Sequence, residues 1–147
     1  MNVDRLFSVV GSALNSQRQR LNIIAGNLAN AESTRSPNGG PYQRRDVVFR
    51  SNSANTPFTS IFTQAFGRAG EPHGVKIDQV ILDDRPLRKV YDPDHPDSNE
   101  KGYLELPNVN VIEEMTNMLS ASRAYEANLA VLETGKSMTM RALEMGR

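Results

Sequence analysis

The strongest constraint on the fold of this chain is the spacing of apolar residues near its start. From Val3 they recur at steps of four, three and four, the heptad pattern of a helix that packs along a seam. No proline precedes Pro37, so the pattern predicts one unbroken helix over residues 3 to 31, about 43 Å long. The predicted seam residues are Val3, Phe7, Val10, Leu14, Gln17, Leu21, Ile24, Leu28 and Ala31.

The other end of the chain repeats this pattern and predicts a second helix from about residue 110 to 145. Asn108 or Asn110 is placed to cap its first free N–H groups, and Glu113 and Glu114 complement the positive end of its dipole. A helix of this length, about 54 Å, needs neighbours along most of its seam. The predicted seam residues are Val111, Met115, Met118, Ser122, Tyr125, Leu129 and Leu132.

Between the helices the period changes and proline becomes frequent, with six of the eight prolines between Pro41 and Pro96. Gly39 and Gly40 before Pro41 indicate a tight turn. Strand-like content follows at residues 42–49, 74–82 and 87–91. We therefore predict an α+β fold with long terminal helices paired as a coiled coil. Residues 1–34 and 107–147 form the discontinuous helical domain, and 35–106 an inserted β-rich module with flexible loops near 51–73 and 92–100.

Composition excludes several function classes. The 147 residues carry 17 Lys and Arg against 17 Asp and Glu, which argues against a nucleic-acid binder. Without cysteine there is no disulfide, thiolate zinc site or cysteine nucleophile. Apolar runs are too short for a membrane span, and the first residues lack the features of a secretory signal peptide. At 38% apolar and 6% aromatic residues, the core is expected to be thin or shared with other chains.

The balanced total charge hides an uneven distribution. Residues 1–50 carry seven cations and three anions, a net charge of +4, whereas residues 71–100 carry four cations and eight anions, a net charge of −4. Copies of the chain could stack with these patches in register. Ordinary solvated surface charge explains the same distribution and is the interpretation that we favour.

Catalytic and metal-binding patterns are scarce. His73 and His95 both lie in loop-like sequence, and a metal site of His95 with Asp92, Asp94 and Asp97 is disfavoured because Pro93 and Pro96 fix the backbone around it. No nucleophile elbow, P-loop or zinc-protease motif occurs. We therefore predict neither enzymatic activity nor a metal or cofactor.

Small and polar residues line a second face of both helices. Glycine within a helix costs about 1 kcal/mol relative to alanine, so its presence there indicates close approach of a neighbouring backbone. A polar surface that is merely rich in small residues is the alternative for either helix alone. Because both helices share the feature, we predict self-assembly or co-assembly. The predicted close-approach or polar interface residues are Gly11, Gly26, Asn27, Asn30, Ser122, Ala124 and Asn128.

Two long segments resemble a known family. Residues 12–31, SALNSQRQRLNIIAGNLANA, resemble the N-terminal signature of bacterial flagellar rod and hook proteins, and residues 102–128, GYLELPNVNVIEEMTNMLSASRAYEAN, resemble their C-terminal counterpart. The turn NGGPY at 38–42, VVF at 47–49 and the short central module resemble a subunit of the proximal rod. The two long segments comprise 47 residues, and the resemblance as a whole is strong over about 80, in the family's order.

The resemblance implies a structural role. Such subunits pair their terminal helices into a tube that transmits torque and encloses the export channel, with the central module outside. They reach the rod in the periplasmic space through the flagellar type III export apparatus, without a cleaved signal peptide. Implied partners are other copies of the chain, FliE, and the rod proteins FlgB and FlgF. The alternatives are a sister rod subunit and a soluble helical adaptor that grips one partner.

Overall fold

The computed structural model describes residues 3–36, 39–52 and 74–146. Helix α1 covers Val3–Ala29 and helix α2 covers Val111–Met145. Between them lie strands β1 (Arg45–Ser51), β2 (Val75–Leu82), β3 (Arg88–Tyr91) and β4 (Tyr103–Leu106). The two helices are in contact and the inserted strands form antiparallel hairpins, which confirms the α+β prediction. The predicted loop at 51–73 and His73 fall almost wholly outside the described residues.

Both helices begin and end where their sequences predict, within two residues. Asn110 caps α2, because its side-chain oxygen accepts from the backbone N–H groups of Ile112 and Glu113 at 3.0 and 3.4 Å. Asn108 has another role. Its side-chain oxygen accepts from the Arg44 N–H at 2.8 Å, and its amide donates to the Asp83 carbonyl at 2.9 Å. This asparagine therefore ties together the starts of β1, of α2 and of the turn after β2.

The strands form two ribbons of two strands each, β1 with β2 and β3 with β4. In the second ribbon Arg88 pairs with Leu106 and Tyr91 with Tyr103, in antiparallel register. Leu104 is its buried residue, at 6% exposure, and the strand that carries it was missed by sequence analysis. Strand β4 is only four residues long, so its alternation is too brief to stand out.

The predicted turn before β1 is present. Gly39 and Gly40 have φ angles of 79° and 78°, in the left-handed region that glycine enters without a steric penalty. The Gly39 N–H donates to the Ser36 carbonyl at 3.0 Å, and the Ser36 N–H donates to the Gly40 carbonyl at 2.7 Å. The chain thus reverses before β1, which starts at Arg45 rather than at residue 42.

The chain divides into two compact units that each contain part of both helices. Unit 1 comprises Met1–Gln19, Val48–Gln79 and Ser122–Arg147, and unit 2 comprises Arg20–Val47 and Val80–Ala121. This division cuts across the helices, whereas the sequence-based division at residues 34 and 107 does not. The discontinuous helical domain stays a prediction.

In the described part of unit 1, the start of α1 packs against β2 and the last third of α2. The Ser12 hydroxyl accepts from the Val75 N–H at 3.0 Å, and the Ser16 hydroxyl donates to the Val75 carbonyl at 3.2 Å. A methyl carbon of Leu6 would lie 2.9 Å from a Cβ placed on Gly135. Glycine at position 135 therefore lets α2 approach α1 closely.

In unit 2, the buried apolar residues come from several segments. Ala121 is completely buried, and Ile24, Ala31, Leu104 and Val109 are between 4% and 6% exposed. The acidic loop at 92–100 is tied to the segment after α1, since the Thr34 hydroxyl donates to Asp97 at 2.7 Å and Arg35 forms an ion pair with the same carboxylate. These hydrogen bonds lower the pKa of Asp97 below its usual value, the Thr34 bond most strongly. The flexibility predicted for this loop is untested.

Candidate functional site

The first turns of α2 carry two stripes of residues along the helix, and each stripe is displaced from the other by one position in the sequence. The inner stripe, which faces the interior of unit 2, consists of Glu114, Met118 and Ala121. The outer stripe consists of Ile112, Met115 and Leu119, which are 76%, 56% and 54% exposed. Because successive helical residues point about 100° apart, the two stripes lie on different faces of the helix. The outer stripe is an uncovered apolar surface on the single chain.

Exposed apolar side chains continue in the unit 1 part of α2. Most prominent are Met138, Leu143 and Met145, which are 67%, 66% and 83% exposed. Isolated apolar residues are common on protein surfaces, whereas three neighbouring ones on one helix face, as in the outer stripe, mark an interaction site. The arrangement can bind other helices, and it offers no chemistry for a reaction.

The inner stripe ends in a buried polar junction, which we define as Asn27, Tyr42, Arg44 and Glu114. Asn27 is completely buried, and its side-chain amide donates to a Glu114 carboxylate oxygen and to the Arg45 carbonyl, both at 2.8 Å. Its side-chain oxygen accepts from the Tyr42 hydroxyl at 2.9 Å and from the Arg45 N–H at 2.9 Å. All four hydrogen-bonding positions of the amide are therefore satisfied.

Arg44 supplies the positive charge of the junction. Its Nε and Nη2 atoms both lie 2.9 Å from Oε1 of Glu114, whose side chain is completely buried. Its Nη1 atom lies 3.1 Å from Asp46 and 3.3 Å from Asp83. The charge is thus matched on both sides of the guanidinium, as a buried ion needs.

The electrostatic effects on these groups have separate causes. Burial opposes the charge on Arg44, but hydrogen bonds to Asp46 and Glu114 outweigh it and raise the pKa of the guanidinium. The Arg85 guanidinium, 2.7 Å from Asp83, lowers the pKa of that carboxyl to about 2. Burial raises the pKa of the Tyr42 hydroxyl. At neutral pH the guanidinium of Arg44 and the carboxylate of Asp83 are therefore charged, and the Tyr42 hydroxyl is neutral.

The predicted seam of α1 lies mostly inward. Val10 and Ile24 are each 5% exposed, while Val3 is 41% exposed. The remaining seam residues are partly buried, and they are Phe7, Leu14, Leu21 and Leu28. The oxygen of the polar seam residue Gln17 is buried and has no hydrogen-bond partner among the described residues.

The predicted seam of α2 divides between two faces. Met118, Tyr125 and Leu132 are partly buried, as a packed seam residue would be. Val111, Met115 and Leu129 are 39%, 56% and 38% exposed. Packing between subunits requires contact with a second chain, so the role of these three residues stays a prediction.

The residues predicted to lie at a close-approach or polar interface differ in their surroundings. Asn27 is central to the polar junction, and Asn30 donates to the Gly26 carbonyl at 2.8 Å. A Cβ placed on Gly11 or Gly26 would meet no described atom within 4 Å apart from the adjacent backbone of α1. Within the described residues, no other element therefore packs closely against either glycine, and their close-approach role stays a prediction. The remaining predicted residues, Ser122, Ala124 and Asn128, are partly buried.

Sequence analysis missed Tyr42, Arg44 and the pairing role of Glu114. It treated Glu113 and Glu114 alike as charges at a helix N-terminus, yet Glu113 is exposed and pairs with Arg85 at 3.2 Å, whereas Glu114 is buried. The available signal was position, since Glu114 is four residues before Met118 on a predicted seam. Residues four apart share one side of a helix, and a carboxylate buried on that side requires a cation; the cation, Arg44, lies 70 positions away in the sequence.

Two further observations concern function classes. Within 3–36, 39–52 and 74–146, no three side chains of metal-binding type come together, and His95 instead accepts from the Asp97 N–H at 3.1 Å. No helix in those ranges has the length and apolar character needed to cross a bilayer.

Comparison with known proteins decides the family. Residues 7–35 match the family model described as flagella basal body rod protein, and residues 100–145 match that described as flagellar basal body rod FlgEFG protein C-terminal. The chain is 44% identical over 142 residues to the flagellar basal-body rod protein FlgC of Escherichia coli O157:H7, covering 97% of this chain and 96% of that one. The chain belongs to the FlgC family. The predicted recognition as a flagellar rod protein is thereby confirmed.

Other FlgC proteins are similarly related. The chain is 43% identical to FlgC of Borreliella burgdorferi, over 92% of both chains, and 39% identical to FlgC of Bacillus subtilis, over 95% of both. The subtype predicted from the central turn is therefore confirmed over a sister rod subunit. FlgC is a structural rod protein, so the prediction that the chain is not an enzyme is also confirmed.

Proposed function

We propose that this FlgC chain is a subunit of the proximal flagellar rod that polymerises through α1 and α2. The observation that carries the proposal is the outer stripe of Ile112, Met115 and Leu119, each more than half exposed on the single chain. Family membership supports assembly with other rod components. A surface of this kind gains free energy when another helix covers it, at roughly 25 cal/mol per Å² of apolar area.

The proposed mechanism is mechanical. Helices of 27 and 35 residues extend about 40 and 53 Å, so each offers contacts at many positions along the rod. An interface that joins different patches on successive copies produces an open helical polymer rather than a closed dimer. Torque is then resisted by side chains interlocked along the helices. The tube wall surrounds the export channel, and the β ribbons add a second layer of contacts.

We further propose that the chain reaches the periplasmic space through the flagellar type III export apparatus, without a cleaved signal peptide. The absence of cysteine suits this route, since no thiol can cross-link subunits in an oxidising compartment. Partners in the rod are other copies, FliE, FlgB and FlgF. None of these contacts requires a membrane span or nucleic acid.

The experiment places a charge on the outer stripe. Met115→Asp should abolish swimming and rod assembly, because a carboxylate would be buried at the subunit interface without a partner. The isolated chain should keep its stability within about 0.5 kcal/mol, since position 115 is exposed. Ser120→Asp, one position beyond the stripe and also exposed, is the matched control and should leave swimming intact. Motility in soft agar, electron microscopy of basal bodies and circular dichroism provide the measurements.

The choice of position matters for this test. Leu21→Asp or Leu28→Asp would also stop assembly, but both leucines are partly buried in the chain, so unfolding would produce the same result. Leu129→Asp gives an independent exposed site on α2. Normal rods built from folded Met115→Asp and Leu129→Asp variants would refute assembly through this surface.

A further inference from the structure

The rotation of α2 about its own axis decides which of its two stripes is buried, and the more apolar stripe is the one left exposed. The outer stripe of Ile112, Met115 and Leu119 is entirely apolar, whereas the inner stripe includes Ala121 and the carboxylate of Glu114. Burial of apolar area alone favours turning the outer stripe inward, because it holds more aliphatic surface. The structure nevertheless buries Glu114 and leaves the outer stripe exposed. Another interaction must set the rotation.

The polar junction supplies that interaction. Glu114 holds Arg44 through two nitrogen contacts at 2.9 Å and accepts from Asn27 at 2.8 Å. Turning α2 by one position would place Met115 at this point. Arg44 would then lose the carboxylate that contacts two of its nitrogens, keeping only Asp46 and Asp83 at Nη1, and one amide hydrogen of Asn27 would be buried without an acceptor. The lost charge-assisted hydrogen bonds cost more than the gain from one aliphatic side chain.

We propose that Asn27, Arg44 and Glu114 are positioning residues for assembly, which fix the rotation of α2 so that the outer stripe stays available to a neighbouring rod subunit. The proposal rests on the proposed function. Buried polar groups that select one helix register at some expense of stability are known in coiled coils. Here the selected rotation of α2 keeps the outer stripe, which is the more apolar of the two, out of the chain's own core.

Two native methionines report the rotation directly. Met115 belongs to the outer stripe and Met118 to the inner one, and the tryptic peptide from Gly102 to Arg123 contains both. Brief treatment with hydrogen peroxide converts each thioether to a sulfoxide and releases water. In the wild-type chain Met115 should oxidise faster than Met118, by about threefold or more, because oxidation follows exposure. In an unfolded chain the two rates should be equal.

The test variant replaces the three positioning residues by leucine: Asn27→Leu, Arg44→Leu and Glu114→Leu. The chain should remain folded, since apolar replacement of a buried ion pair is often neutral or stabilising. Asp83 keeps its ion pair with Arg85, and Tyr42 and Arg45, which lose Asn27 as a partner, are not fully buried and can bond water instead. The oxidation ratio should reverse in favour of Met118, and rods should no longer assemble. The matched control replaces the exposed ion pair of Lys89 and Glu105 by leucine and should change neither result.

A conservative variant, Arg44→Gln with Glu114→Gln, separates hydrogen bonding from packing. It removes both charges but keeps donors and acceptors, so the wild-type oxidation ratio and assembly should largely return. A leucine variant with the wild-type ratio that still builds rods would overturn the proposal. Failure of that variant to fold would overturn it as well, because the junction would then be part of the core rather than a device for register. If the ratio reverses and swimming persists, the outer stripe is not the assembly surface.

Discussion

At the scale of single residues, Asn27 shows how a fully buried polar group becomes acceptable. Its two amide hydrogens and both acceptor positions of its oxygen are used, by Glu114, Tyr42 and the backbone of Arg45. Sequence analysis selected Asn27 as a polar interface residue but did not find these partners, because Tyr42 and Glu114 lie 15 and 87 positions away. A polar residue on a helix face is visible in sequence, whereas its distant partner is not.

The neighbouring glutamates at the start of α2 provide the sharpest test at this scale. Glu114→Gln should lower the free energy of unfolding by about 1.5–3 kcal/mol, because it weakens the charge-assisted hydrogen bonds to the buried Arg44, which keeps Asp46 and Asp83 as partners. Glu113→Gln should cost less than about 1 kcal/mol, since its ion pair with Arg85 is exposed. Both changes remove one negative charge from the same helix end, so the dipole contribution cancels in the comparison. Urea unfolding followed by circular dichroism measures both, and equal losses would contradict the structure.

At the scale of elements, the length of α2 followed from the sequence, and its rotation did not. The heptad pattern counted apolar residues and centred the seam between the two stripes, through Met115 and Met118. The observed buried face is turned toward Glu114 and Ala121. Apolar periodicity shows that a helix packs against neighbours. It does not show which of its faces packs within its own chain and which packs against another chain.

Gly11 offers a test of that assignment within α1. In the isolated chain Gly11→Ala should raise the free energy of unfolding by about 1 kcal/mol, the usual gain from replacing glycine in a helix. Apart from the adjacent backbone of α1, no described atom lies within 4 Å of the new methyl group. Assembly should weaken if another backbone approaches there, as the sequence predicts.

Thermal unfolding and basal-body yield are the two measurements for Gly11→Ala. Gly135→Ala is the informative comparison, because its methyl group would meet Leu6 of the same chain. Its effect should therefore appear already in the isolated chain. A Gly11→Ala variant that gains stability and builds normal rods would remove Gly11 from the predicted interface.

At the scale of the whole molecule, the end of α2 is little covered by the described residues of the chain. Apart from Thr139, every residue from Lys136 to Gly146 is exposed. Helices gain most of their stability from packing of an apolar face, so this segment should fray in the isolated chain and become ordered on assembly.

Limited trypsin digestion tests this expectation. In the isolated chain, cleavage after Lys136 and Arg141 should precede cleavage after the buried Arg44, and assembled rods should resist at all three sites. Early cleavage after Lys136 and Arg141 is expected of a rod subunit, whereas a soluble helical adaptor would already be folded and protected there. Protection of Lys136 and Arg141 in the isolated chain would favour the adaptor.

The long sequence separation within the polar junction also governs when the chain can fold. A polypeptide emerges from the ribosome with its first residues leading, so Asn27 and Arg44 become available well before Glu114. Until position 114 arrives, 70 residues after Arg44, the guanidinium lacks the buried carboxylate that contacts two of its nitrogens. Native pairing of the helices is thereby postponed to the end of synthesis. A newly made chain therefore keeps its two helices unpaired for most of its elongation, which suits the proposed route through the export apparatus.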